Sequence, residues 1–238
     1  MTEILHIWSY LSEGPPLWLT LTVVAYVIGD NCFGLAGRKP YVNSVLIAMI
    51  LLSILLKVTD TSYRTYFEGA QFVHFMLGTA TVAMAVPLWS NWQRVKASDV
   101  PILEALAVGS VVSMISSVAV GALFGLRDEV LLSLVPKSAT SPVAIGIAEA
   151  IGGLPTLTVA LVLITGVIGA VVTTPLLNSL GVRDYRGRGF ATGVAAHGLG
   201  TARAFQVHGT AGAFASIGMV LNAILTALTA PIFVQLIL

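Results

Sequence analysis

A series of uncharged, largely apolar runs, at 14–29, 40–56, 69–93, 105–126, 150–182 and 204–238, constrains this chain more than any other feature. Most of them are long enough to cross a hydrocarbon layer of about 30 Å. An ordinary soluble domain carries about 25% charged residues, whereas here 10% are charged and 56% are hydrophobic. The runs are apolar throughout rather than alternating, which excludes a transmembrane barrel. The expected fold is an all-α polytopic membrane protein forming one integral membrane domain over 1–238, with about seven or eight membrane segments.

The charge balance narrows the function. A net charge of +1, from 12 Lys and Arg against 11 Asp and Glu, leaves no basic face for nucleic acid. Cys32 is the single cysteine, so an internal disulfide, a CxxC redox pair and a cysteine metal cage are excluded. The start, MTEILHIWSYLSEGPP, is acidic with a short apolar stretch, and no cleavable signal peptide is expected there. After Phe214 the chain stays apolar, so the function is expected inside the membrane.

Spans are expected at about 16–33, 41–58, 99–124, 156–180, 189–207 (Gly-rich) and 213–237. Trp89 and Trp92 mark an interface ahead of Arg94 and Lys96. Gly109, Ser113, Ser116 and Ser117 give the 99–124 span a small-residue face, which suits close helix packing or self-association.

Three segments differ from ordinary spans: 77–88 (LGTATVAMAVPL, with Thr79 and Thr81), 136–149 (PKSATSPVAIGIAE) and 195–206 (AAHGLGTARAFQ). Each sets Gly, Ser, Thr or Pro in the middle of an apolar stretch. Lipid-exposed backbone does not tolerate such breaks, because each unsatisfied amide costs several kcal/mol. The three are therefore expected to be broken or re-entrant helices that converge in the interior. Short self-similarities, of Thr79–Ala85 with Thr140–Gly146 and of Gly78-Thr-Ala with Gly200-Thr-Ala, fit an internal repeat.

Topology points the same way. With the N-terminus outside, Arg38, Lys39, Arg94 and Lys96 fall inside, as the positive-inside rule asks. Single crossings thereafter would put Arg183, Arg186 and Arg188 outside. A segment that dips in and returns removes the conflict, and 131–151, with Pro136 and Pro142 bracketing Lys-Ser-Ala-Thr-Ser, is the best placed to do so.

Few residues in such a chain can carry chemistry. Lys137 precedes a helix expected to start near Pro142, with Ser138, Thr140 and Ser141 as hydroxyl caps. An ammonium, hydroxyls and free N–H groups form a site for a carboxylate; the plain alternative is a snorkelling lysine ahead of an ordinary cap. His197 and Arg203 share a Gly-rich segment with Gly200 and Thr201. Histidine exchanges protons near neutral pH and arginine grips a carboxylate with two bonds, although a packing histidine is equally compatible with the pattern. Glu149 is either a loop-end residue, a proton acceptor, or the partner of Lys137 or Arg203 in a structural ion pair. Asp30, Glu68 and His74 are weaker candidates near span ends.

Enzyme signatures are missing: there is no HExxH, GxxxxGK[ST], GxGxxG or DxxD. Neither a metal nor a cofactor is expected. A serine nucleophile at Ser138 with His197 as its base is compatible with the spacing but is not favoured by it.

The stretches PKSATSPVA, IGGLPTLTVALVLITGVIGA, AAHGLGTARA and YRTYFEGAQFVHFMLGTATVAMAVPLW closely resemble the LrgB/CidB family of bacterial inner-membrane proteins, from about residue 17 onward. Two departures stand out: Thr79 occupies a place where the family usually has proline, and Asn43-Ser44 replaces an Asn-Pro pair. The resemblance implies one of two functions. Bacterial members are named as holin or antiholin partners that modulate murein hydrolase activity, together with a small LrgA/CidA-type membrane protein. A plant relative moves glycolate and glycerate across the plastid envelope, and bacterial members are linked to pyruvate. Cations and hydroxyls on interrupted helices favour a carrier for a small monocarboxylate (glycolate, glycerate, pyruvate or lactate), with His197 as the proton-coupling group and Glu149 as its rival. A holin-like regulator is the alternative.

Overall fold

The computed structural model describes residues 15–39, 42, 44–83, 85–90, 92–96 and 99–237, and every regular element among them is a helix. In chain order these are α1 (Pro15–Leu35), α2 (Ser44–Val58), α3 (Tyr63–Ala83), α4 (Ala85–Ser90), α5 (Trp92–Lys96), α6 (Asp99–Leu123), α7 (Asp128–Leu134), α8 (Ser141–Ile151), α9 (Pro155–Ser179), α10 (Tyr185–Val207) and α11 (Gly209–Ile237). The chain divides into two units, 1–80 and 81–238.

Four of these helices are long and apolar enough to cross a membrane: Pro16–Leu35, Val100–Leu123, Pro155–Ser179 and Gly209–Leu236. The protein is thus a multi-pass membrane protein by length and composition. The seven or eight segments expected from sequence are not reached on this criterion. The Ser44–Val58 helix is short, and two stretches of the second unit double back instead of crossing.

In the first unit α1 packs on α2 through Ala25, Ala48 and Leu52. The approach is close enough that a Cβ at Gly29 would overlap the Ser44 carbonyl. Trp18 is fully buried, edge-on to Tyr66 at 5.7 Å and pressed against Gly69. The α3 helix continues unbroken through 77–83, contrary to the expected interruption. Threonine at 79 keeps the backbone N–H that proline would remove, and its hydroxyl donates back to the Met76 carbonyl at 2.8 Å.

The first hairpin of the second unit is 128–151. Pro136 supplies no N–H, α7 stops at Leu134, and the chain turns through an Ala139 N–H to Pro136 carbonyl bond. A helix restarts at Ser141, with Pro142 in its first turn. Three sets of contacts fix the direction. Gly121 meets Leu131 and Leu134, Met114 packs with Val135, and Ser113 meets Ser138, so 131–138 runs down α6 from its C-terminal end toward its middle. The return arm α8 then brings Gly152 back beside Leu132.

The second hairpin is α10. Its backbone breaks at Ala196 (φ −131°, ψ 18°) and His197 (φ 40°, ψ −134°), and the two halves fold onto each other. A Cβ on Gly200 would crowd Thr192, and Arg188 and Ala204 line one cavity. In a straight helix those pairs would stand about 12 and 24 Å apart. Both arms lie against α11. A Cβ on Gly189 or Gly193 would overlap the carbonyl of Ala211 or Ala215, and Phe205 packs at Gly212. Glycines four apart opposite alanines let helix backbones touch, as in small-xxx-small packing between membrane helices.

The hairpins enter from opposite ends. The first starts at the C-terminal end of α6. The second starts at the end where α9 finishes, because Arg188 donates to Thr174 near the end of α9 while Gly166, further back, meets the His197 ring. That end also carries the start of α6, since Pro101, Asp184, Arg186 and Phe214 line one cavity of about 240 Å³. Arg183, Arg186 and Arg188 therefore lie at the Asp99 end of the unit. The return arm α8 and the two halves of α10 each rise about 16–18 Å at 1.5 Å per residue, roughly half the thickness of a bilayer core, and the shorter α7 about 10 Å.

Candidate functional site

The two hairpin tips meet on Val162, at a point partway along α9. Its side chain is fully buried with Ala139 and Ala144 of the first hairpin. Its carbonyl accepts a 2.8 Å bond from His197 Nε2 at the tip of the second. A carbonyl can only accept, so Nε2 carries the proton. Gly166 makes room for the imidazole, because a Cβ there would crowd its Cε1 and Nε2. Thr201 Oγ1 donates to the His197 carbonyl at 2.7 Å, and Gly200 gives the arms room to approach.

The first tip carries the cation. Lys137 Nζ donates to Ser113 Oγ at 3.1 Å and to Ser138 Oγ at 3.3 Å, and the two hydroxyls lie 2.7 Å apart. The Ser138 carbonyl accepts from Asn222 Nδ2 at 3.1 Å, and Asn222 Oδ1 accepts from Ser110 Oγ at 2.5 Å. A polar chain thus runs from Lys137 through the middle of α6 to the middle of α11. Among the described residues the ion pairs are Arg64–Glu68 and Asp184–Arg186, and neither involves Lys137. Glu149 is exposed on α8 and forms no described pair with Lys137 or Arg203.

Other expected residues are placed differently. Thr140 is the N-cap of α8, yet its hydroxyl makes no cap bond and is buried without a partner. Ser141 is the first residue of that helix. Ser138 does not cap the helix, because its hydroxyl is turned to Ser113 and Lys137. Nor does it pair with His197, whose Nε2 is committed to Val162, so no nucleophile–base dyad is formed. Arg203 does not join Lys137 in any described contact. The doubling back of α10 carries it toward the hairpin base, where it lines a cavity with Arg188. Thr79 is exposed on the unbroken part of α3. The side chains of Thr81 and His74 lie outside the described ones.

Asn222, Ser110 and the Val162 carbonyl were not singled out from the sequence. Asn222 had a readable signal, an amide in the middle of the apolar run 204–238. A backbone carbonyl has none. An ammonium beside two hydroxyls is the donor set that a carboxylate needs, and an imidazole, as on the other tip, is a group that can exchange a proton.

The LrgB-like family matches residues 22–236. The chain belongs to the LrgB family. It is similar to a Bacillus subtilis (strain 168) protein named uncharacterized protein YxaC, 38% identical over 218 residues, which are 92% of this chain and 94% of that one. It is also similar to the holin-like protein CidB of Staphylococcus epidermidis, at 31% over 220 residues, 92% of this chain and 96% of that one. CidB of Staphylococcus aureus (strain Mu50) is 29% identical over the same shares. No solved structure matches the chain. The family match covers both hairpins and all four long apolar helices except the first residues of α1 and the last of α11.

Proposed function

We propose that this LrgB-family protein is a carrier for a small monocarboxylate of the glycolate, glycerate, pyruvate or lactate kind in the bacterial inner membrane. One observation carries the reading: two hairpins from opposite ends meet tip to tip, and one tip holds a lysine with no described carboxylate partner. Interrupted helices that meet near the midplane are the common architecture of carrier sites, and rocking of one half against the other exposes such a site to each side in turn. Lys137 Nζ holds the substrate carboxylate. Ser113, Ser138 and Thr140 supply hydroxyls for a 2-hydroxy or 2-oxo group, and Asn222 positions the tip. His197 couples the movement to protons through Nδ1, since Nε2 is engaged.

The staphylococcal relatives are named holin-like proteins, which favours a second reading, a holin-like membrane protein; on that reading this chain would regulate murein hydrolysis together with a small LrgA/CidA-type membrane protein. Proteoliposome flux separates the two. A carrier takes up labelled C2–C4 carboxylates saturably and selectively, with or without the small partner. A holin-like pore releases unrelated solutes such as calcein or sucrose, and that outcome would replace the carrier reading.

A further inference from the structure

Between α9 and the base of the second hairpin lies a cavity of about 20 Å³, lined among others by Thr173, Thr174, Arg188, Thr192, Arg203 and Ala204. It has room for about one water-sized group. Arg188 and Arg203 both line it and no acidic residue does. Arg203 Nε is buried without a hydrogen-bond partner, and the described bond of its side chain runs from NH1 to Gln206 Oε1. Arg188 donates to two neutral carbonyls, of Val182 and Thr174, and lies over the Tyr185 ring at 5.9 Å, so no described carboxylate balances its charge there. The nearest acid in sequence, Asp184, is engaged with Arg186. Two like charges on one small, partly dry space repel each other, and an unpaired buried donor adds a further cost. An anion between them removes both penalties.

We propose that Arg188 and Arg203 clamp a small monovalent anion in this cavity, either a halide-sized ion or the carboxylate end of a short acid. The planar guanidinium forks suit both. The site is separate from the Lys137 cluster: Arg203 follows His197 by six residues, about 9 Å along the return arm. The anion would pin the two arms together at the base of the hairpin. The inference concerns binding rather than flux, so it does not depend on the carrier reading.

The test uses the purified full-length protein in detergent, in gluconate buffer at fixed ionic strength, titrated separately with sodium chloride and sodium acetate while Tm is followed. Binding to the folded state alone raises Tm with saturation. The expected result is a saturable rise in the unmodified protein that is lost in the R188Q/R203Q double variant and shifted at least tenfold to higher concentration in R203K. A saturable rise with acetate alone assigns the carboxylate as the occupant; a rise with chloride, alone or as well, assigns a small inorganic ion. Either outcome supports the site. No saturable rise with either anion, or a rise unchanged in R203K and the double variant, overturns it. If the double variant does not fold, the unmodified protein and R203K decide the question, since R203K keeps the charge and loses only the fork.

Discussion

Asn222 spans the gap between Ser110 and Ser138, accepting from the Ser110 hydroxyl with one end of its amide and donating to the Ser138 carbonyl with the other. Asn222 is 1% exposed, so neither end can turn to water instead. The expected effect of N222A follows from that enclosure. It leaves the Ser110 hydroxyl and the Ser138 carbonyl without partners, at about 1–3 kcal/mol for each buried group. Thermal unfolding in detergent should show the loss. S110A should cost less in the N222A background than alone, by a coupling of about 0.5–3 kcal/mol. Purely additive costs would mean that the two bonds do not act together.

Gly193 offers a sharper test of the second hairpin. A Cβ there meets the Ala215 backbone, which cannot step aside without moving α11. G193A should therefore lower Tm markedly and reduce the yield of folded protein. Gly146, on α8, has nothing within 4 Å of its Cβ position. G146A should leave Tm unchanged or raise it, because alanine is favoured over glycine in a helix by about 1 kcal/mol. Equal effects of the two substitutions would contradict the backbone-to-backbone packing of the hairpin on α11.

The long helices were legible because charge marks their ends: spans read at 99–124 and 156–180 are found at Asp99–Leu123 and Pro155–Ser179. The first hairpin was legible as well, from Pro136 and Pro142 and from the arginines that would otherwise fall on the wrong side. For the second, the sequence of 189–207 fits a broken span as well as a re-entrant one. Glycines at 193, 198 and 200 permit a break, but only their contacts with Thr192 and α11 decide that the chain returns. The misplacement of Arg203 follows from this, since in a straight span it lies deep and in a hairpin it lies near Arg188. Counting charges also passed over Asn222, an uncharged side chain that does as much as Lys137 to join the elements.

Asp184 gives a pH test outside the membrane. It is the N-cap of α10, where its carboxylate accepts from the Arg186 N–H at 2.9 Å, and the Arg186 side chain bonds it as well. These bonds hold its pKa below the ordinary 3.8. A group whose pKa is lower when folded contributes stability above its unfolded pKa and loses it as pH falls through the folded value. D184A should therefore lower Tm at neutral pH, consistent with a lost cap of about 0.5–2 kcal/mol. The difference from the unmodified protein should shrink as pH drops below 3.8. A constant difference across that range would assign the effect to packing rather than to the carboxylate.

The last prediction separates a working lysine from a structural one. Lys137 touches two hydroxyls and no described carboxylate, so neutralising it removes charge without stranding a counter-ion. K137Q keeps a donor for Ser113 and Ser138. It should fold and reach the membrane while losing saturable uptake by at least tenfold. E149Q should leave both properties unchanged, because Glu149 is exposed on α8. A K137Q protein that misfolds and is rescued by E149Q would mean instead that the two charges pair. His197 needs a second readout, since its backbone sits at φ 40°, where a non-glycine residue is strained by about 1–3 kcal/mol. H197G should relieve that strain and lose the bond to Val162, and H197N loses that bond too, because its amide reaches only as far as Nδ1 and not to the position of Nε2. Both should keep substrate binding while the pH dependence of uptake flattens, because neither asparagine nor glycine titrates between pH 5 and 8. An unchanged pH profile in H197N would leave the imidazole as a strut against α9 and remove it from proton coupling.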